Sequence, residues 1–581
     1  MLLALVCASA GAAGPYKVTG RTEPAIPGYN LYYPEDLKSA AAIEGPLPVV
    51  FFGNGGCAEQ PGNNQLLPEQ ASHGYIVLAV GRFTEFKKAL DWLEAENLRQ
   101  GSEFYGCVDV SRTAATGYSC GGLQALLITA EGDPRVKTTI LYCSGINPPD
   151  QPLSTAIEKD CLDRIDHPIL YINGGPTDIA YKNGADDYSR ITKVPVTSMN
   201  LPVGHGGTFN QPRGGQFATV GLRWLDWRLK GHDEYEDFFR YGKLEEGFED
   251  WVIRAKNYNQ LIKIDLPVDE YPDVPEKADV NEFGDVTNYS AVTRPFIMVS
   301  LPDPEKATGT AVLLFPGGGL QALSWDSDFR EASAWFNARG IAAIGVKYRT
   351  RVSTPGARPS GTPAARPAGA GALAGAGSPS ARPAVPTGAA SPAAPSSDAR
   401  TNVLYTGRAK ITDFDQIVKA NTAPSPTGST DPINQKIIED ANHAIDIVRA
   451  HAAEWNIDPA KVGYLGYSAG GCVELAALTH CLPEQMPNFV VSVYGPSMMD
   501  VDVPVNAPRL FIAVHADHPN VAAGCLALFL EWKKAGVDAE LHVYGEGTGG
   551  LFGGAGWKGD HNTLNGYWME SLYSWLQANG F

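Results

Sequence analysis

The sequence has little positive charge for its length. Its 581 residues contain 46 lysines and arginines against 64 aspartates and glutamates, so the formal net charge is −18 at pH 7. A protein that binds nucleic acid needs a basic surface to meet the phosphate backbone. We therefore expect no nucleic acid among the partners of this chain, and we attribute the acidic balance to solubility.

Two further features are missing. None of the nine cysteines belongs to a CxxC pair, which argues against a zinc site and against a thioredoxin-like motif. No stretch contains the roughly 18 consecutive apolar residues that a membrane helix needs. We therefore expect no metal and no membrane span.

The first residues, MLLALVCASAGAAG, form an apolar stretch followed by small residues, although they contain no Lys or Arg. This pattern is typical of a short secretory signal peptide, which we predict over residues 1–14. It implies a secreted, extracellular protein, in a compartment that permits disulfides.

The rest of the chain contains one strongly biased segment. Residues 353–397 are rich in Pro, Ala, Gly and Ser and contain almost no large apolar side chain. Such a composition buries too little surface to offset the entropy of ordering. We predict a disordered insertion over 350–432, which interrupts the second of two domains that span 15–265 and 266–581.

Outside this insertion, one pattern of apolar strands and amphipathic helices occurs twice. The first copy begins with the strand 48–52 and the second with the strand 311–315, and each is followed by a Gly-rich loop. Strands that alternate with helices favour a mostly parallel, doubly wound sheet. The fold class is therefore α/β, with two domains whose sheets are doubly wound and carry helices on both faces.

Each copy contains a G-x-S-x-G pentapeptide between a predicted strand and an apolar helix. The two sequences are GYSCGG around Ser119 and GYSAGG around Ser468. A serine at this tight strand-to-helix turn exposes its hydroxyl, and the flanking glycines remove side chains that would clash there. The helix N-terminus also favours developing negative charge. We therefore predict both serines as nucleophiles.

A serine nucleophile needs a histidine base and an acid that orients it. In this fold the order along the chain is Ser, acid, His, with both partners on loops after later strands. Asp178 follows the strand 168–172, and His205 follows the strand 196–201. We predict these two residues as acid and base, with Asp186 and Asp187 as alternatives for the acid.

The oxyanion hole of the first domain needs two backbone N–H groups. We expect one from Cys120, the residue after the nucleophile, and one from the loop that contains Gly55, Gly56 and Cys57. Cys57 and Cys120 then face each other across the site. A disulfide and two buried free thiols are both open.

The second domain offers a less complete set. Its oxyanion candidates are Gly318, Gly319 and Ala469, and its acid candidate is Asp517, after the strand 509–514. The loop after the next strand, GEGTGGLF, contains no histidine. We predict that the second site is active only if His561, further along the chain, serves as its base.

The first copy resembles secreted microbial α/β-hydrolases related to dienelactone hydrolases and polyester-hydrolase-type esterases, over about 45–255. The matching phrases are FGNGGC, ASHGYIVLAVG, GYSCGGLQAL, DPRVKTTILYCSGI, GGPTDIAY and VGHGGTF. This resemblance implies Ser119 as nucleophile, Asp178 as acid and His205 as base.

The second copy resembles acetyl-xylan-esterase-like carbohydrate esterases over about 295–350 and 435–581. The matching phrases are ATGTAVLLFPGGG, ARGIAAIGVKYRT, DANHAIDIVRAHAAEWNIDPAKVGYLGYSAGG and AGVDAELHVY. In that family a G-H-G-F type loop supplies the histidine, whereas this chain has Gly549 or Gly550 at that place.

Together these observations predict a secreted serine carboxylic-ester hydrolase of the EC 3.1.1 type. The expected substrate is an ester on acetylated or feruloylated polysaccharide, an analogy that rests on the second resemblance alone. The chemistry needs no cofactor. Two alternatives stay open: a lipase- or cutinase-like hydrolase of lipid or polyester, and a non-catalytic carbohydrate-binding protein built on hydrolase scaffolds.

Overall fold

The structure is a computed structural model. It describes residues 14–81, 86–148, 157–242, 247–259, 261–268, 274–351, 432–495, 503–515, 519–544 and 567–581. The predicted signal peptide and the predicted insertion lie, apart from their terminal residues, outside the described residues. Asp517, His561 and the loop with Gly549 and Gly550 also lie outside them.

The first domain is built on a nine-stranded sheet in the order β1-β2-β4-β3-β5-β6-β7-β8-β9. The six neighbouring strands β4, β3, β5, β6, β7 and β8 are parallel. The strands β1, β2 and β9 run antiparallel to their neighbours. The strands are β1 (Val18–Thr22), β2 (Asn30–Pro34), β3 (Leu47–Gly53), β4 (Ile76–Val80), β5 (Val108–Tyr118), β6 (Val136–Tyr142), β7 (Ile169–Asn173), β8 (Val196–Asn200) and β9 (Val252–Lys256).

Helices cover both faces of this sheet. They are α1 (Leu37–Glu44), α2 (Leu66–Ser72), α3 (Phe86–Leu98), α4 (Cys120–Glu131), α5 (Tyr181–Arg190), α6 (Gly215–Leu225) and α7 (Glu236–Arg240). The central strands are apolar on both sides, as a sheet buried on two faces requires. Two separate clusters of buried side chains result, one containing Phe51 and Leu126 and the other containing Phe52 and Trp224.

The second domain repeats this plan with eight strands in the order β10-β13-β16-β14-β17-β18-β19-β20. Neighbours from β16 to β20 are parallel. The strands are β10 (Leu261–Asp265), β13 (Phe296–Ser300), β14 (Ala311–Phe315), β16 (Ala342–Lys347), β17 (Val462–Tyr467), β18 (Phe489–Val493), β19 (Arg509–His515) and β20 (Ala539–Tyr544). The helices are α8 (Ala332–Asn337), α9 (Pro432–Ala450), α10 (Ala469–His480), α11 (Pro519–Lys534) and α12 (Tyr567–Ala578).

A small third sheet belongs to the second half of the chain. It consists of the antiparallel hairpin β11 (Lys277–Val280) and β12 (Val286–Ser290), extended by β15 (Ala322–Ser324). The segment that forms this hairpin carries no strand predicted from the sequence.

The prediction of an α/β fold with mostly parallel sheets is confirmed. The predicted domain bounds, 15–265 and 266–581, stay a prediction. β10 precedes residue 266 but pairs with β13 of the second sheet, and the first sheet ends with β9. Among the helices within the described ranges, none is both long and apolar enough to cross a membrane.

Residues on the two sides of the predicted insertion contact each other in the second domain. Arg349 precedes that segment and Asp440 lies on α9, which follows it. The Arg349 guanidinium contacts the Asp440 carboxylate at 2.8 Å, and the Arg349 backbone N–H donates to the same carboxylate at 2.8 Å. Both residues are buried. An insertion in the connection between β16 and α9 is therefore compatible with an intact core.

Candidate active site

The turn from β5 to α4 places Ser119 at the edge of the first sheet. Its backbone is left-handed, with φ of 54°, which is a strained conformation for a residue with a side chain. A Cβ atom on Gly121 would lie 2.0 Å from the Gly53 carbonyl oxygen, and one on Gly117 would lie 2.3 Å from the Gly121 carbonyl oxygen. The glycines are therefore required because the turn packs directly against neighbouring backbone.

Three side chains from different loops meet at this edge. His205 Nε2 lies 3.0 Å from Ser119 Oγ, and His205 Nδ1 lies 2.7 Å from Asp178 Oδ1. These residues follow β5, β7 and β8, parallel strands whose carboxyl ends lie at the same edge of the sheet. The arrangement allows the imidazole to accept the serine proton while the carboxylate holds the ring.

Asp178 is held by more than the histidine. Its carboxylate accepts hydrogen bonds from the N–H groups of Gly174 and Ala180, both at 2.9 Å. Burial favours the neutral acid, but the hydrogen bonds from His205 and from these amides outweigh it, so the pKa of Asp178 lies below its ordinary value. The group is therefore a carboxylate at neutral pH, as an orienting acid must be.

The thiol of Cys143 also belongs to this site, although the sequence analysis did not identify it. Its sulfur, a carboxylate oxygen of Asp178 and a ring nitrogen of His205 all lie within 4.8 Å of one another. Burial, reinforced by the Asp178 charge, raises the pKa of this thiol, so the group stays neutral at neutral pH. Its place directly after β6 was the signal that could have revealed it.

Tyr118 contacts the loop that carries His205. Its hydroxyl donates to the His205 carbonyl oxygen at 2.9 Å, and the two rings lie 5.5 Å apart. On the other side, the Gly204 N–H donates to the Gly174 carbonyl at 2.8 Å. A Cβ atom on Gly174 would lie 1.9 Å from the Gly204 carbonyl oxygen, so the acid loop and the histidine loop are in direct backbone contact.

A disulfide joins Cys57 to Cys120, with 5.4 Å between their Cα atoms. It links the loop after β3 to the first residue of α4, next to the nucleophile. The Cys57 N–H donates to the Asn54 carbonyl at 3.1 Å, so this N–H is already used within the loop. The loop candidates for an oxyanion donor are therefore Gly55 and Gly56, opposite the first helical N–H at Cys120.

The two alternative candidates for the acid, Asp186 and Asp187, form ion pairs around α5. Asp187 is buried on α5, where it pairs with the Lys159 ammonium and accepts the Ile146 N–H at 2.8 Å. Asp186 pairs with Lys159 at 2.8 Å and with Arg190 at 3.0 Å. Both carboxylates hold the chain around α5, and His205 is oriented by Asp178.

The second domain has the same turn between β17 and α10. Ser468 has φ of 50°, and its N–H donates to the Val493 carbonyl at 2.9 Å. A Cβ atom on Gly470 would lie 1.9 Å from the Phe315 carbonyl oxygen. Ala469 begins α10, as an oxyanion donor requires. Within the described part of the chain, no histidine hydrogen-bonds to Ser468.

The Gly-rich loop after β14 is hydrogen-bonded to a buried carboxylate, that of Asp328. Gly318 and Gly319 have φ of 135° and 65°, which favour glycine. The preceding residue, Gly317, donates its N–H to the Asp328 carboxylate at 2.8 Å, and Ser327 donates to the same carboxylate at 2.6 Å. Asp328 is therefore a buried anchor of this loop.

Asp328 makes the stability of the second domain depend on pH. Burial raises its pKa from 3.8 to about 6 despite the hydrogen bonds from Ser327 and Gly317. The folded carboxyl holds its proton more tightly than the unfolded one, so stability falls as pH rises from 3.8 to about 6. The Asp328→Asn variant carries a side chain that does not ionise. We expect its free energy of unfolding at pH 8 to be about 3 kcal/mol higher than that of the wild type.

Urea unfolding of both proteins at pH 4 and pH 8 measures this effect. Near pH 4 both proteins carry a mostly neutral side chain at this position, so the difference should shrink to well under about 1 kcal/mol. An equal difference at the two pH values would show that the carboxyl does not titrate between them.

No family model matches the chain. A curated acetylxylan esterase from Xylanibacter ruminicola is 22% identical to it in an alignment of 309 residues that covers 47% of this chain and 47% of that protein. The chain therefore spans about half the length of that relative.

Two solved structures are also similar. One is an acetyl ester-xyloside bifunctional hydrolase from Caldicellulosiruptor lactoaceticus, 19% identical, with 50% of this chain and 89% of that chain covered and a TM-score of 0.30. The other is an α/β-hydrolase from a Medee basin deep-sea metagenome library, 16% identical, with 55% and 98% covered and a TM-score of 0.31.

Proposed function

We propose that this protein is a serine ester hydrolase whose nucleophile is Ser119. The observation that carries the proposal is the hydrogen-bonded series from Ser119 through His205 to Asp178, with distances of 3.0 and 2.7 Å. A serine on a strained turn, an oriented imidazole and a buried carboxylate together have one common use, which is acyl transfer to the serine hydroxyl.

The reaction proceeds in two halves. His205 Nε2 accepts the Ser119 proton as the oxygen attacks the ester carbonyl, and the Asp178 carboxylate stabilises the imidazolium that forms. The N–H of Cys120 and one N–H of the loop at Gly55 and Gly56 stabilise the oxyanion. His205 then protonates the leaving alcohol. Water, activated by the same imidazole, releases the acid from the acyl-enzyme.

We further propose that the substrate is an ester on an acetylated or feruloylated polysaccharide. The support for it is the similarity to an acetylxylan esterase over about half of each chain, with 47% of this one aligned. We also propose a secreted location, from the N-terminal pattern alone. The second site, with Ser468, Asp517 and His561, remains a prediction.

One observation favours lipid or polyester esters as a second candidate. Ile179 and Val203 are 72% and 42% exposed. Ile179 follows Asp178 directly, and Val203 lies two residues before His205. Exposed apolar side chains beside a reactive site favour an apolar acyl group or polymer surface.

The test measures the full-length protein against two substrates. We expect turnover of p-nitrophenyl acetate and release of acetate from acetylated xylan, with a fluorophosphonate probe labelling Ser119 when the labelled peptide is mapped by mass spectrometry. Activity on p-nitrophenyl butyrate and polyester film but not on acetylated xylan would favour the second candidate. Absence of turnover together with absence of label at Ser119 would leave only a non-catalytic carbohydrate-binding role.

A further inference from the structure

The turn of the β11–β12 hairpin is built to project one aromatic side chain. The Asn281 side-chain oxygen accepts the N–H groups of Phe283 at 2.9 Å and of Asp285 at 3.1 Å. The Asn281 N–H donates to the Asp285 carbonyl at 3.0 Å, and Gly284 takes the left-handed position with φ of 76°. These contacts close the turn locally and leave the Phe283 ring directed away from its own sheet.

That ring is buried in the first domain. Phe283 is only 3% exposed, although it stands at a hairpin turn, and it belongs to the hydrophobic cluster under the first sheet. It makes edge contacts with Tyr181 and Tyr188, each at 5.7 Å between ring centroids. The Arg254 guanidinium covers it at 5.0 Å. A turn that follows β10 of the second sheet therefore completes the core of the first domain.

Polar contacts surround this ring and fix the turn to the first domain. The Tyr181 hydroxyl donates to Glu282 at 2.8 Å. Arg254 on β9 pairs with Asp285 at 2.9 Å. Because these bonds and the buried ring act on one short turn, the position of that turn is specified from several sides.

The helix that receives these contacts is the one that follows the acid of the candidate triad. Tyr181 begins α5, and its N–H donates to the Asp178 carbonyl at 3.1 Å. The neighbouring Ala180 N–H donates to Asp178 Oδ1 at 2.9 Å. A shift at the start of α5 therefore moves the amide that orients the carboxylate.

We propose that the tip of the β11–β12 hairpin, residues 281–285, positions the catalytic acid of the first domain. Phe283 and Glu282 hold the start of α5, α5 holds Asp178, and Asp178 orients His205. Turnover at Ser119 thus depends on the second half of the chain. This inference rests on the proposed function of Ser119, and Phe283 is a positioning residue in it.

The experiment replaces Phe283 by alanine in the full-length chain. We expect kcat for p-nitrophenyl acetate to fall about 10- to 100-fold with KM within about twofold, because a small misplacement of a catalytic group costs this much. Phe283→Leu should recover most of the rate, and Tyr181→Phe, which removes only the bond to Glu282, should cost about twofold to fivefold. The proton between His205 and Asp178 should give a downfield NMR resonance that Phe283→Ala broadens or removes.

Two matched variants separate positioning from general destabilisation. Phe489→Ala removes a buried ring from β18 of the second sheet, where it contacts Trp575 and Phe581. Thr287→Ala changes the same hairpin at a hydroxyl that donates to the Asp279 carbonyl and accepts from the Asn288 side chain. We expect both to keep kcat within about twofold when folded. An equal loss of kcat in Phe489→Ala would overturn the proposal.

The NMR measurement also distinguishes the two hypotheses. If wild-type protein turns over no ester, the proposed function is wrong, yet the resonance still reports whether Phe283 holds Asp178 against His205. If Phe283→Ala retains both kcat and the resonance, the hairpin does not position the acid, while the proposed function stands.

Discussion

Replacing Ser119 by alanine is expected to reduce turnover of p-nitrophenyl acetate by at least about 10⁴-fold, to the level of uncatalysed hydrolysis plus residual binding effects. The physical reason is that His205 then has no hydroxyl to deprotonate, and no other described side chain hydrogen-bonds to its Nε2. Thermal unfolding should change little, because the change removes one partly exposed oxygen from a turn whose backbone bonds remain. Steady-state kinetics at pH 8, with unfolding midpoints for both proteins, make the measurement.

Ser468→Ala is the matched control. It makes the same substitution on an equivalent turn, with φ of 50° against 54° at Ser119. The loop expected to supply its base, GEGTGGLF, contains no histidine, so we expect turnover to stay within about twofold of wild type. A large loss from Ser468→Ala with little from Ser119→Ala would place the active nucleophile in the second domain and refute our assignment.

Asp178→Asn is expected to lower kcat by about 10⁴-fold while the fold persists. An asparagine amide that presents N–H to His205 Nδ1 forces the ring proton onto Nε2, and a protonated Nε2 cannot accept the proton of Ser119. The N–H groups of Gly174 and Ala180 compete for the remaining amide oxygen. Kinetics on the purified variant, with circular dichroism to verify folding, provide the test.

Asp187→Asn provides the contrast, since it neutralises a carboxylate nine residues further along. Asp187 pairs with Lys159 and accepts the Ile146 N–H, so its loss should lower the free energy of unfolding by about 2–3 kcal/mol. We expect kcat to change by less than about fivefold, because Asp187 does not touch His205. If Asp187→Asn abolished turnover and Asp178→Asn did not, the acid would be misassigned.

The larger features were predictable because they depend on near neighbours in the chain. The two turns at Ser119 and Ser468 were identified from glycines two residues to each side. The structure shows why glycine is required in the first turn, because the backbones of Gly53 and Gly121 are in direct contact. The parallel sheets followed from strands that alternate with helices. The place of β10 was not predictable in this way, because its alternating apolar and polar residues fit an edge strand of either sheet, and only its pairing with β13 assigns it to the second sheet.

The supporting residues of the candidate site were not predictable in this way. Tyr118 occupies a variable position of the G-x-S-x-G turn, and Cys143 belongs to no catalytic motif. Their roles arise because β6 lies beside β5 and because the Tyr118 hydroxyl donates to the His205 carbonyl oxygen. Phe283 is the extreme example. Its nearest aromatic partner along the chain is about a hundred residues away, at Tyr181 or Tyr188.

The sequence by itself therefore determined the fold class, the two serine turns and the order of acid and base after Ser119, because strand ends and tight turns are written in local spacing. Only the tertiary structure decided which of the candidate carboxylates reaches His205, that Cys57 and Cys120 are joined, and that a hairpin from the second half of the chain completes the first core. The physical reason is that distances between side chains on separate loops follow from the packing of whole sheets and helices, which no local pattern of residues contains.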